Sequence, residues 1–176
     1  LKAYASDDCR INVKFLDSNL GISGNTNEAL TLATGEYIAL YDHDDFLELD
    51  ALYEIVKSLQ EYTYDVIYTD EDKFNNKTKV FEFPHFKPDF SIDLLRSYNY
   101  ITHFFVARTS LVHEVGGFRK EYDGAQDYDL IFRCIEKANA VYHIPKVLYH
   151  WRMHPLSTAA NPKSKLYCYE AGQNAV

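Results

Sequence analysis

Tyr37-Ile-Ala-Leu-Tyr-Asp-His-Asp-Asp45 decides how this chain is read. Tyr37 to Tyr41 is a short, continuously apolar run bounded by Gly35 and by acids, which fits a buried strand. Side chains in a strand alternate, so a strand carried through the acids turns Asp42 and Asp44 to one side and His43 to the other. Two carboxylates on one side form half of an oxygen-ligand site, the kind that Mg²⁺ or Mn²⁺ completes with substrate phosphates. The carboxyl end of an α/β sheet is also where ligands bind. Three acids in four positions repel one another unless a cation sits among them. The competing account is a solvated acidic turn that caps the next helix. An aspartyl phosphatase also starts with DxD after an apolar strand, but it needs Gly or a small hydroxyl residue next, where Asp45 and Phe46 stand.

Upstream, Ile11 to Leu16 alternates apolar and polar, the period of a half-buried strand. Gly21-Ile-Ser-Gly24 reads as a turn, and Asn25 to Thr34 as a helix stopped by Gly35. Downstream, Leu49, Leu52, Tyr53, Val56 and Leu59 define one face of a helix over 49–61. Asp65 to Thr69 is a strand ending in the acidic run Asp70-Glu71-Asp72, and residues 73–90 form an irregular excursion. Ser91 caps a short helix from Ile92 to Tyr98. His103 to Arg108 is strand-like, and Thr109 to Val115 is a helix ended by Gly116-Gly117. The apolar spacing of Leu130, Ile131, Cys134, Ile135 and Ala138 predicts a helix over 126–138. Val147 to Trp151 is a last strand, with a polar helix after Pro162. Strands alternating with helices argue an α/β sheet with helices on its faces.

The 176 residues suit one domain spanning 1–176. Eighteen Lys and Arg against 26 Asp and Glu give a net charge of −8, which argues against a nucleic-acid binder held by phosphate contacts. No apolar run approaches the ~20 residues that span a bilayer, and there is no signal-peptide pattern. Cys9, Cys134 and Cys168 are an odd count without CxxC spacing, read as reduced thiols of a cytosolic protein. The first residue is Leu1, so the chain is expected to be trimmed or cut from something longer.

Gly21 to Asp45, GISGNTNEALTLATGEYIALYDHDD, resembles the middle of an inverting family 2 glycosyltransferase of the GT-A fold. Gly116-Gly-Phe-Arg119 followed by Gln126-Asp127 resembles that family's Gly-Gly-Phe and Glu-Asp region, with Gln126 where Glu is usual. Tyr149 to His154, with Ser157 and Thr158, resembles its closing segment. TDEDK at 69–73 and FKPDFS at 86–91 resemble a bacterial rhamnosyltransferase-like, O-antigen subgroup. The resemblance implies an α/β, GT-A-like (Rossmann-like) mixed sheet flanked by helices and truncated at its N-terminal side. The family's opening strands, of types VSIIIPxYN and VDDGS, do not occur here. Part of the nucleotide pocket is then expected to be missing, with a sheet edge left open for a second copy.

The resemblance also implies roles. Asp42 contacts the donor's ribose or supports the metal, and Asp44 ligates Mn²⁺ or Mg²⁺ at the diphosphate. Asp127 is the catalytic base; at the start of its helix, orphan N–H groups and the dipole favour the ionised carboxylate that base catalysis needs. His150 is a third metal ligand, with His154 as alternative, or a strand-end histidine that is merely hydrogen-bonded; Arg152 holds the diphosphate, and Trp151 stacks on a sugar or belongs to the core. Ser157 and Thr158 close over the donor, and Asp70 to Lys73 is an acceptor contact or a solvated turn. The implied activity is transfer of a sugar from a UDP or dTDP donor to a saccharide or lipid-linked acceptor. The implied setting is bacterial surface-polysaccharide assembly in the cytoplasm, at the inner membrane face. A catalytically incompetent interaction module and a metal-dependent phosphohydrolase built on residues 42–45 and 70–72 are the competing readings.

Overall fold

The computed structural model describes residues 1–153 and 166–176. In chain order the elements are α1 (Lys2–Asp7), α2 (Gly21–Leu30), β1 (Tyr37–Ala39), β2 (Phe46–Leu47), α3 (Ala51–Glu61), β3 (Val66–Asn75) and β4 (Val80–His85). There follow α4 (Ile92–Ser97), β5 (Phe105–Arg108), α5 (Thr109–Glu114), α6 (Gln126–Lys137), β6 (Val141–Met153) and α7 (Leu166–Ala175). The sheet runs β1-β5-β3-β6-β2, with β4 paired to the second half of β3. β3 and β6 are parallel and every other pair is antiparallel, so the sheet is mixed.

β3 forms the centre because Val66, Ile67 and Tyr68 are fully buried, as expected of a strand covered on both faces. Val66 and Tyr68 join a core that includes Leu95, Tyr100, Leu111, Leu130, Ile131 and Cys134. Ile67 joins a second core of Ala51, Ile55, Phe104, Val106, Ile144, Leu148 and Tyr149. Cys134 lies in the first core, and burial pushes its thiol up to about 12.

Several elements differ from the sequence expectation. Residues 11–16 form no strand: Ile11 and Phe15 are exposed, and no described strand offers them a ladder. Gly21–Gly24 is the first turn of α2, because Asp123 Oδ1 accepts from the Ser23 N–H (3.0 Å) and from its hydroxyl. β1 is a short, half-buried edge strand that pairs, among the described residues, with β5 alone. α3 lies where expected but buries Ala51, Ile55 and Ser58, while Leu52, Tyr53 and Val56 stay exposed. Residues 73–90 contain a hairpin, because β3 continues to Asn75 and pairs with β4.

Asp129, only 1% exposed, holds the Gly-Gly-Phe loop against α6. Its carboxylate accepts from Arg119 and, at 2.5 Å, from Arg133. Arg133 also donates to the carbonyls of Val115 (2.6 Å) and Gly117 (2.8 Å). Asn27 bonds both polar groups of the Phe118 backbone, at 2.7 and 2.8 Å. Gly117 has φ +67°, and a Cβ there would come within 2.7 Å of Asn27 Oδ1, so no larger residue fits. Burial raises the Asp129 carboxyl, but the two guanidinium groups outweigh it and hold it below the usual aspartate range. That stabilisation is present above the ordinary carboxylate range and is lost as acid carries the pH through the depressed folded value. Asp129→Ala is expected to cost about 3 kcal/mol of unfolding free energy at neutral pH, read by urea denaturation. The deficit should shrink toward acid.

Candidate active site

The chain leaves β1 at Ala39 and makes a turn at Asp42–Asp45, closed by the Asp45 N–H on the Asp42 carbonyl (3.1 Å). The turn undoes the strand alternation expected for Asp42 and Asp44. It turns Asp45 inward, 4% exposed, while Asp42 and Asp44 stay exposed. The Asp45 carboxylate accepts from the Arg152 N–H (2.8 Å) and from the Tyr149 hydroxyl. Burial raises its carboxyl above the ordinary value in spite of these bonds. The Tyr149 hydroxyl oxygen also accepts from the Asp42 N–H at 3.3 Å, so one tyrosine spans the turn.

His103 completes the group. Its Nε2 lies 4.0 Å from Asp42 Oδ2, and ligand atoms of Asp42, Asp45 and His103 all fall within 4.8 Å of one another. The two carboxylates suit Mn²⁺ or Mg²⁺, and the imidazole adds a nitrogen donor that the harder Mg²⁺ accepts less readily. Asp44 is outside this group, although its exposed carboxylate lies on the same turn. The His103 ring stacks on Tyr149 (4.7 Å between centroids), and Trp151 is 5.7 Å away. Glu71 Oε2 accepts from the His103 N–H (2.7 Å) and meets its Nδ1 at 3.0 Å, while His85 Nδ1 is 3.5 Å from Glu71 Oε1. Burial pushes the Glu71 carboxyl up, but the histidine contacts outweigh it and hold it well below the usual range. Burial likewise lowers His103, and Glu71 overcomes this to raise it above the usual imidazole value. Beneath them Lys87, 6% exposed, donates through Nζ to the carbonyls of Ile101 (3.0 Å) and His103. Burial draws its ammonium down to about 8, against the pull of Glu71 and Asp70.

Asp127 stands in the first turn of α6. Its Oδ2 accepts from Asn99 Nδ2 and Thr102 Oγ1, both at 3.0 Å. Its other oxygen has no hydrogen-bond partner among the described residues. Thr102 precedes His103, so one short segment ties Asp127 to the acidic turn.

The remaining sequence candidates fall elsewhere. His150 is corrected as a partner of the acidic turn: its Nδ1 meets Asp72 (2.6 Å) and its Nε2 meets Glu48 (3.1 Å). Successive strand residues point to opposite faces, so Tyr149 and Trp151 reach His103 while His150 turns to Phe81 and Asp72. Arg152 is engaged in the turn, donating through Nε to the Asp44 carbonyl and through Nη1 to Asn76 Oδ1 (3.3 Å). Trp151 is half-buried, with Lys73 Nζ 5.3 Å from its ring centroid. Asp70 to Asp72 is no solvated turn. Asp70 accepts from the Lys87 N–H (2.8 Å) and meets His143 Nε2 (2.8 Å), and Asp72 is taken by His150. These contacts leave a phosphohydrolase little free carboxylate there. His154, Ser157 and Thr158 lie outside the described residues. Sequence reasoning gave no role to His103, Lys87, Asn99 or Thr102: Lys87 lies in a stretch read only for its subgroup resemblance, His103 at the start of a strand, and Asn99 and Thr102 between elements. Polar residues inside the otherwise apolar Tyr98–Val106 stretch were the available signal.

The mixed α/β sheet flanked by helices is that of the GT-A glycosyltransferases. Residues 1–118 match the family described as glycosyl transferase family 2, and the chain belongs to that family. It is 45% identical to the uncharacterized protein y4gI of Sinorhizobium fredii, over all of this chain and 20% of that one. It is 33% identical to the O-antigen biosynthesis protein RfbC of Myxococcus xanthus, over all of this chain and 14% of that one. The chain therefore spans a fifth or less of these relatives' lengths. Among solved structures, S. aureus TarS in complex with UDP-GlcNAc superposes with a TM-score of 0.67 at 19% identity, over 91% of this chain and 47% of that one. The mannosyltransferase PcManGT from Pyrobaculum calidifontis, in complex with GDP-Man and Mn²⁺, gives 0.56 at 17% identity, over 85% and 42%.

The Glu71–His103 contact is open to direct measurement. Glu71→Gln removes the charge that raises His103, so its imidazole NMR resonances should titrate at lower pH than in the wild-type chain. An unchanged titration would place the cause elsewhere.

Proposed function

We propose that the chain carries the transfer centre of an inverting glycosyltransferase acting in bacterial surface-polysaccharide synthesis. The donor is a nucleotide-diphosphate sugar, and the acceptor is a saccharide or lipid-linked hydroxyl. One observation carries this reading: Asp127 is held through one oxygen by Asn99 and Thr102, beside the Asp42, Asp45 and His103 group. A carboxylate so fixed keeps its second oxygen for the acceptor's proton. As that proton moves to Asp127, the acceptor oxygen bonds to C1 from the far side. The C1–oxygen bond to the diphosphate breaks, and its electron pair leaves with the nucleotide. Asp42, Asp45 and His103, with Asp44 on the same turn, would hold a divalent ion, which when bound supplies Lewis-acid stabilisation of the leaving diphosphate. The nucleotide sugars in the TarS and PcManGT complexes support the donor class, and the RfbC likeness supports the setting. The outer edge of β1, paired only on its β5 side among the described residues, supports pairing with a second copy. No described helix is long and apolar enough to cross a membrane, and the setting proposed is the inner face of the cell membrane.

Two measurements test the reading. Calorimetric titration of UDP should give heat with Mn²⁺ that is lost on chelation and in the double variant Asp42→Asn, Asp44→Asn. Heat that persists in that variant sinks the metal-site assignment. Asp127→Asn should lower sugar transfer by roughly a hundredfold or more, the range of a positioned general base. Unchanged transfer sinks the base assignment.

A further inference from the structure

Large apolar side chains are exposed along β4 and just beyond it: Val80, Phe81, Phe83 and Phe86, and then Tyr98. Two aromatic rings in this region are fixed rather than loose. Tyr98 follows α4, and its N–H bonds the Leu94 carbonyl at 3.2 Å. Its ring leans on the buried ring of Tyr100 (6.1 Å between centroids), whose hydroxyl is anchored by the Ser91 N–H at 2.9 Å. His85 ends β4 in register with Glu71, with its Nδ1 toward that carboxylate. The two rings stack at 6.3 Å with 30° between their planes, and both remain part-exposed, Tyr98 at 45%.

This pair adjoins the reacting groups from two directions. Tyr98 precedes Asn99, which holds Asp127, and His85 reaches His103 through Glu71. Asn99 Oδ1 is buried and has no partner among the described residues. The second Asp127 oxygen has no partner among the described residues, so a saccharide hydroxyl arriving there would supply a donor to it. A pyranose has an apolar C–H face and a rim of hydroxyl groups. It matches exposed ring faces that stand beside carboxylate and amide oxygens. An acyl chain would cover the rings but offer no donor to that Asp127 oxygen.

We propose that Tyr98 and His85 form a saccharide platform that seats the acceptor's terminal pyranose with a hydroxyl toward Asp127. The proposal rests on the transferase reading for its orientation, while the presence of a saccharide site can be tested without it. Saturation-transfer NMR on the 176-residue chain would use methyl α-glucopyranoside, methyl α-rhamnopyranoside and N-acetylglucosamine as probes. Ring C–H protons of at least one probe should be saturated by the wild-type chain and by Tyr98→Phe, which keeps the ring. In Tyr98→Ala and in His85→Ala, with amide spectra confirming the fold, binding should weaken about fivefold, the worth of one aromatic contact. No transfer from any probe to the wild-type chain, or equal transfer in both alanine variants, overturns the platform. If Asp127→Asn leaves sugar transfer unchanged while pyranoside binding and its loss in the variants persist, the platform stands and the base assignment of the transferase reading falls.

Discussion

The parallel pairing of β3 with β6 is the constraint on which the site depends. It runs from Val66 opposite Val141 to Asn75 opposite Met153, with a register shift around Asp70. That register sets Glu71 beside Tyr149 and Asp72 beside His150. Because strand side chains alternate, it also sorts the two sequences by face. Tyr149 and Trp151 meet His103 on one side, while His150 meets Asp72, Glu48 and Phe81 on the other. A slip of one residue would exchange these sets and move His150 to the acidic turn.

Charge compensation is the second theme. Asp70, Lys87 and Asp129 are all buried, a costly arrangement unless each ion is paired or hydrogen-bonded. Asp70 has the Lys87 N–H and His143, Lys87 has two carbonyls, and Asp129 has two guanidinium groups. Asp42, Asp44 and the second oxygen of Asp127 are left to face solvent or substrate. The scaffold's charges are satisfied internally, as are Asp45 of the turn and His103, while Asp42 and Asp44 are exposed. This separation distinguishes the two acidic clusters, which look equally reactive as letters.

Much of the fold was legible. The apolar runs at Tyr37–Tyr41 and Asp65–Thr69 marked β1 and the start of β3, Ser91 marked the cap of α4, and Gly116-Gly117 marked the end of α5. Local chemistry decides these features, so local reading finds them. The stripe on α3 misled, because helical period names an apolar face without saying whether a partner covers it. Residues 11–16 misled for the matching reason: alternation is necessary for a half-buried strand, but a strand exists only where another backbone pairs with it.

The sequence by itself determined the α/β class and the family resemblance, and it marked the acidic cluster at 42–45 and Asp127 as candidates, since these rest on composition, order and motif. Tertiary structure alone decided which groups meet. It set Asp45 inward, brought His103 to Asp42, took His150 away to Asp72, and tied Asp127 to Asn99 and Thr102. The physical reason is distance along the chain. Tyr149 lies 104 residues from Asp45, and Asp127 lies 25 from Thr102. Such contacts depend on strand register and helix placement, which the whole chain settles together and no local pattern encodes.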